Sequence, residues 1–128
     1  MIRVRLTSII VNDQNRARKF YTEKLGFIIK RDIPVGPANW LTIVSPAEPD
    51  GTEIALEPNF HAASKLYQEA LYGEGTPLTA LAVDNIEGEY ARLTKLGVVF
   101  QGEPKEMGPT TVAVFDDTCG NYIQLFQA

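Results

Sequence analysis

The sequence is poor in the residue types that most often carry chemistry: its 128 residues include one cysteine, one histidine and one tryptophan. With Cys119 alone an internal disulfide is impossible, and a reducing, cytoplasmic setting is expected. With His61 alone a multi-histidine metal site cannot form within one chain. No run of about 20 apolar residues exists to span a bilayer. The opening "MIRVRLTSIIV" is short and broken by arginines, so it reads as the start of a strand and not as a signal peptide. Positive charge is not in excess either. Twelve Lys and Arg against 16 Asp and Glu give a net charge of −4, with the basic residues scattered. That balance argues against non-specific binding to nucleic acid or anionic membranes. A phosphate-binding glycine loop, a Ser-His-Asp order and a catalytic carboxylate pair are all missing, and "YGEG" and "QGEP" are turn signals only.

What is present is an ordinary apolar content of 45%, enough for a single domain with a real core. "RVRLTSIIV" reads as a strand, rich in Val, Ile and Thr. Ala17, Phe20, Tyr21, Lys24 and Leu25 then recur at helical spacing, with Asn12 or Asp13 as cap and Gly26 just past the end. "FIIKRDI", "WLTIV" and "TEIALEP" follow as strands, separated by Pro- and Gly-bearing turns. The order then recurs: strand "LTALAV", a helix capped by Asp84 or Asn85 and ending at Gly97, and strands "VVFQ", "TTVAVF" and "YIQLF". "LG" at Leu25-Gly26 answers "LG" at Leu96-Gly97 and maps Asp13 onto Asp84, while "IALE" from Ile54 answers "IQLF" from Ile123. Two copies of one β-α-β-β-β unit follow. Between them, Ala63, Leu66, Tyr67 and Leu71 have helical spacing, which predicts a linker helix.

Period-two alternation divides each strand into a face under the helix and an opposite face. Ile9, Val11, Leu41, Ile43, Ile54, Leu56, Leu81, Val83, Ile123 and Leu125 fall on the first. Leu6, Ser8, Ile10, Trp40, Thr42, Glu53, Ala55, Glu57, Leu78, Ala80, Ala82, Tyr122, Gln124 and Phe126 fall on the second. That second face mixes apolar, aromatic, acidic and carboxamide groups, which suits a cavity lining better than a solvated surface. A single bulge would flip such an assignment. Trp40 there could stack a planar or cationic ligand, or could be a core or dimer-interface aromatic; Tyr122 and Phe126 allow the same two readings. Phe20 and Tyr21 pack helix on sheet. His61 reads as a surface residue or cap of the linker helix, and Cys119, in a turn with no base beside it, reads as incidental and not nucleophilic.

"VNDQNRARKFYTEKLGF", "AVDNIEGEYARLTKLGV" and "FDDTCGNYIQL" together resemble the vicinal oxygen chelate superfamily, which includes glyoxalase I, bleomycin-resistance proteins, fosfomycin-resistance enzymes and extradiol dioxygenases. The resemblance implies an α+β fold of two βαβββ units forming curved mixed sheets around a cavity. The expected boundaries are 1–59 for the first unit, 60–76 for the linker helix and 77–128 for the second unit. The family's last turn reads Asp-Pro-Asp/Glu-Gly-Asn; here it is Asp117-Thr118-Cys119-Gly120-Asn121, without the proline.

Metalloenzymes of the superfamily hold their ion on the cavity face of the first and last strand of each unit. Those positions correspond to Leu6, Ala55, Leu78 and Gln124, and only Gln124 has a donor atom. The resemblance therefore implies a metal-free small-molecule-binding protein without a cofactor, a cytoplasmic homodimer like the bleomycin-resistance proteins, with Trp40, Glu53, Glu57, Tyr122, Gln124 and Phe126 as ligand-binding residues. Glu53 and Glu57 would favour a cationic or planar ligand. The alternative is a metal-dependent glyoxalase-type isomerase (a lyase) or thiol transferase, using an improvised site of Glu57, His61 and Gln124. A metal-independent enzyme with Glu57 or His61 as general base is a third reading.

Overall fold

A computed structural model describes the whole chain, Met1–Ala128. In chain order it contains β1 (Leu6–Val11), α1 (Gln14–Lys19) continued by a π turn (Phe20–Lys24), β2 (Ile28–Val35), β3 (Ala38–Val44), β4 (Glu53–Pro58), α2 (Ala62–Glu74), β5 (Pro77–Ala82), α3 (Ile86–Lys95), β6 (Lys105–Met107), β7 (Thr110–Asp116) and β8 (Tyr122–Gln127). This is the expected α+β pattern of two βαβββ units. Each unit has its own four-stranded mixed sheet, ordered β1-β4-β3-β2 and β5-β8-β7-β6. The compact units run Met1–Lys65 and Leu66–Ala128, so α2 begins in one and ends in the other. No helix is long and apolar enough to cross a membrane.

In the first unit the alternation reads through to packing. Ile9, Val11, Leu41, Ile43 and Leu56 are almost wholly buried beside Ala17 and Tyr21 of the first helix. Burial of each large aliphatic side chain is worth about 1.5–3 kcal/mol. In the second unit Ile86 and Leu93 of α3 are buried along with Ile123 and Leu125 of β8. Tyr90, Phe100 and Phe115 extend that core as an edge-to-face series, with ring centroids 4.8 and 5.7 Å apart.

The two helices start alike and differ in one residue. The Asp13 carboxylate accepts the Arg16 N–H, and the Asn85 carboxamide oxygen accepts the Gly88 N–H. The second cap is thus Asn85, so the repeat that sets Asp13 over Asp84 is out by one at this end. Gly26 follows Asp13 by 13 positions, whereas Gly97 follows Asn85 by 12. The first helix absorbs the extra residue by widening its last turn, where the Leu25 N–H donates to the Phe20 carbonyl.

Three other expectations change. "VVFQ" is not a strand: Phe100 forms one isolated bridge to Phe115, and Gly102 and Pro104 interrupt the chain before a three-residue β6 takes the sheet edge. The linker helix forms, but Leu66 is 70% exposed, and the residue it buries is Gln68. Its rotation is set by hydrogen bonds, since the Gln68 carboxamide donates to the Cys119 carbonyl (3.2 Å) and the Asn121 side-chain oxygen (3.0 Å). Finally, the β5–β8 register slips between Pro77 and Thr79, so strict alternation fails at Leu78.

The β7–β8 turn is a buried polar knot. Asp117 is fully buried, and one carboxylate oxygen accepts the N–H groups of Cys119 (2.7 Å) and Asn121 (3.1 Å). The other accepts the Asn121 side-chain amide at 2.8 Å. Cys119 is itself fully buried. Thr118 adopts φ 64°, the only positive φ at a non-glycine residue.

Candidate functional site

In the first sheet the ladder between β3 and β4 is interrupted. Their antiparallel pairing comprises Ile43–Ile54 and Thr42–Ala55 and then stops. One step further would set Leu41 opposite Leu56, the next Trp40 opposite Glu57, and the next Asn39 opposite Pro58. Proline has no N–H to offer the Asn39 carbonyl, which weakens the ladder at that end. The Gln14 side chain occupies the gap. Its amide donates to the carbonyls of Asn39 (2.9 Å) and Leu56 (2.8 Å), and its oxygen accepts the Asn39 N–H at 3.0 Å. Backbone groups that a ladder would have satisfied are thereby satisfied by one carboxamide.

Asn39 is held from its side chain as well. Its amide donates to Asp32 at 2.6 Å, and Arg18 grips the same carboxylate at 3.0 and 3.2 Å. The Asn39 hydrogen bond, with Arg18 beside it, holds the Asp32 carboxyl below its ordinary range.

Where the pairing stops, a cleft of about 280 Å³ opens, lined by residues of both β3 and β4. Ile10, Ala38, Leu41, Ala55 and Leu56 form its apolar part; Trp40, Glu57, His61 and Ser64 line it too, with Phe60 at the rim. The Trp40 indole N–H, Glu57 carboxylate, His61 imidazole and Ser64 hydroxyl have no partner within the chain. Apolar walls with a few polar groups open to a ligand are the usual make-up of a small-molecule site. On the helix side a second depression, of about 330 Å³, is lined by Asp13, Gln14, Asn15 and Arg18 and shares Ala38, Asn39, Pro58 and Phe60 with the first. Gln14 lines the second and is hydrogen-bonded to Asn39, which lines both.

Of the residues singled out in the sequence, Trp40 and Glu57 meet in this cleft, together with His61. Glu53 lies at the closed end of the β3–β4 ladder. It accepts the Thr42 hydroxyl at 2.7 Å and pairs with Arg31 at 3.1 Å. The Thr42 hydrogen bond, with a smaller contribution from Arg31, keeps its carboxyl below the usual range. Tyr122, Gln124 and Phe126 are half-buried and alternate along β8 in the second unit. The Tyr122 ring stacks on Tyr72 at 4.6 Å, and the Tyr72 hydroxyl donates to Asp116 at 2.5 Å. That hydrogen bond raises the Tyr72 pKa well above the ordinary phenol value. Gln14, Pro58, Phe60 and Ser64 had no place among the sequence candidates. Only the proline carried a readable signal, a residue without an N–H ending a strand.

A metal ion fits these residues poorly. The register sets Ser8 opposite Ala55 and Ala80 opposite Gln124. At Leu6, Ala55 and Leu78 there are only hydrocarbon side chains, and one neutral carboxamide at Gln124 is a weak ligand alone. Nor do three His, Cys, Asp or Glu side chains gather anywhere at metal-binding distance.

Residues 3–125 match the model of the glyoxalase/bleomycin resistance protein/dioxygenase superfamily. YurT of Bacillus subtilis (strain 168), itself uncharacterised, is 54% identical over 98% of this chain and 99% of its own. Among solved structures, UcmS2 superposes with a TM-score of 0.84 at 32% identity, covering 98% of both chains. TnmS3, described as an antibiotic binding protein from Streptomyces sp. CB03234, has a TM-score of 0.78 at 29% identity, covering 99% of this chain and 96% of its own.

Proposed function

Because this chain belongs to the glyoxalase/bleomycin resistance protein/dioxygenase superfamily, we propose that it works as a metal-free small-molecule-binding protein, with the family's metal positions lost. The observation that carries this reading is the parted β3–β4 cleft, where an indole, a carboxylate and an imidazole without partners share one lining. Trp40 offers a flat π surface, and Glu57 offers a negative charge beside it. Together they select a planar ligand bearing a protonated nitrogen. The description of TnmS3 as antibiotic-binding supports the same class of activity. Glu53, bound to Thr42 and Arg31, shapes the closed end of the strand pair and leaves charge selection to Glu57. In the second unit Tyr122, Gln124 and Phe126 take the corresponding ligand-facing role on β8. The working form is a homodimer that covers the exposed apolar residues of the first sheet's open face, among them Leu6, Ile33 and Val35.

Trp40 is the only tryptophan, so its fluorescence reports on the cleft alone. Benzamidine, benzamide and benzoate have one shape and three charges. Benzamidine is expected to quench Trp40 at the lowest concentration and benzoate at the highest, and Trp40→Ala should weaken benzamidine binding at least tenfold by calorimetry. Equal or reversed ranking would sink the charge assignment; unchanged affinity in Trp40→Ala would sink the stacking role. Metal analysis of protein purified without chelator should find no stoichiometric Ni, Zn, Mn or Fe, and finding one would overturn the metal-free reading.

A further inference from the structure

The molecule contains its own control for the cleft. In the second unit β7 and β8 pair without interruption from Asp116–Tyr122 to Thr111–Gln127. Aligning the units by Thr42–Ala55 and Val114–Gln124, the parted pair Trp40 and Glu57 corresponds to Val112 and Phe126, which are paired. Pro58 corresponds to Gln127, and Gln14, the first residue after its cap, corresponds to Ile86. Ile86 is buried and apolar, and its N–H donates to the Gln127 side chain at 2.7 Å. One fold thus carries two versions of one strand pair. Where the positions read Gln and Pro the pair is split, and where they read Ile and Gln it is closed.

We propose that Gln14 is the spacer that holds β3 and β4 apart, and that its three hydrogen bonds set the width of the cleft and hence the size of ligand it admits. Pro58 removes the donor that would close the strands, and the Gln14 carboxamide then serves both exposed edges at once. A spacer of this kind must both donate twice and accept once. Among side chains of that length only glutamine does so, since glutamate at neutral pH has no N–H to donate. Gln14 reaches backbone only, so it is a positioning residue and touches no ligand. This inference rests on the cleft being a ligand site, although the strand geometry can be tested without any ligand.

The test transplants the second unit's residues as Gln14→Ile with Pro58→Gln, and uses Gln14→Glu as a milder second variant. Crystal structures of the variants report the strand spacing. Fluorescence and calorimetry with benzamidine (one ring) and proflavine (three fused rings) report cleft width. In the double variant Trp40 should face Glu57 at the roughly 4.5–5.5 Å Cα separation of an antiparallel pair. Proflavine affinity should fall at least tenfold relative to benzamidine, a change in selectivity that general destabilisation would not produce. In Gln14→Glu, which loses both donors while Pro58 stays, the Asn39 and Leu56 carbonyls should no longer be bridged, and the proflavine-to-benzamidine affinity ratio should change by a smaller factor. Strands still parted in the double variant, or strands closed with selectivity unchanged within twofold, would overturn the spacer role. If the unaltered protein binds neither probe, the ligand-site reading fails, and the crystallographic spacing alone decides for or against the spacer.

Discussion

Thr118 shows how one backbone angle can rewrite a family motif. The superfamily's turn usually carries proline where this chain has Thr118, and the proline ring fixes φ near −65°. Here φ is 64°, and the Thr118 N–H donates to Asp116 at 2.7 Å. Restoring the motif by Thr118→Pro should therefore destabilise the protein, by about 2–3 kcal/mol from the wrong φ and the lost hydrogen bond. Urea unfolding measures this; a variant as stable as the parent would show that the turn can adopt the family's geometry. At this scale alternation legibly placed Trp40 and Glu57 on one face, because strand period two is a local property. Gln14 was illegible. A polar residue in a first helical turn looks solvated until Pro58, distant in sequence, is seen to leave a carbonyl without its donor.

At the scale of elements the helices, turns and most strands follow from the residues that cap, break and alternate. The exceptions have local causes: Gly102 and Pro104 displaced a strand, and a slip at Leu78 broke strict alternation. The π turn makes a further prediction. Since the first helix holds one residue more than its counterpart, deleting Thr22 should relax the wide turn into ordinary helix and leave Phe20 and Tyr21 in place. Deleting Ala91 from α3, which has no spare residue, should rotate buried Leu93 off the core at about 2–4 kcal/mol. Thermal melts of the two deletions should differ by more than 10 °C, about what such a difference gives in a chain of this size. Equal losses would mean that the π turn stores no slack.

At the scale of the whole molecule, sequence identified the family and the duplicated βαβββ pattern, because both rest on motifs that recur along the chain. What sequence did not separate was the two copies, whose difference in strand pairing depends on a few positions on different elements. Exposed Leu6, Ile33 and Val35 on one sheet face argue for association, so light scattering at micromolar concentration should give twice the 14.2 kDa chain mass. A mass of one chain would refute the dimer and leave that face for another partner.

The single tryptophan and the single cysteine fall in different halves. Trp40 sits in the unit Met1–Lys65 and Cys119 in the unit Leu66–Ala128, where it is fully buried. The natural chain is therefore already labelled, once per half, with no engineering. Emission follows the melting of the amino-terminal half, and thiol reactivity toward a maleimide follows that of the carboxy-terminal half. Coincident transitions would mean that the duplicated halves unfold as one cooperative body; separated transitions would mean that each half keeps an independent stability of its own.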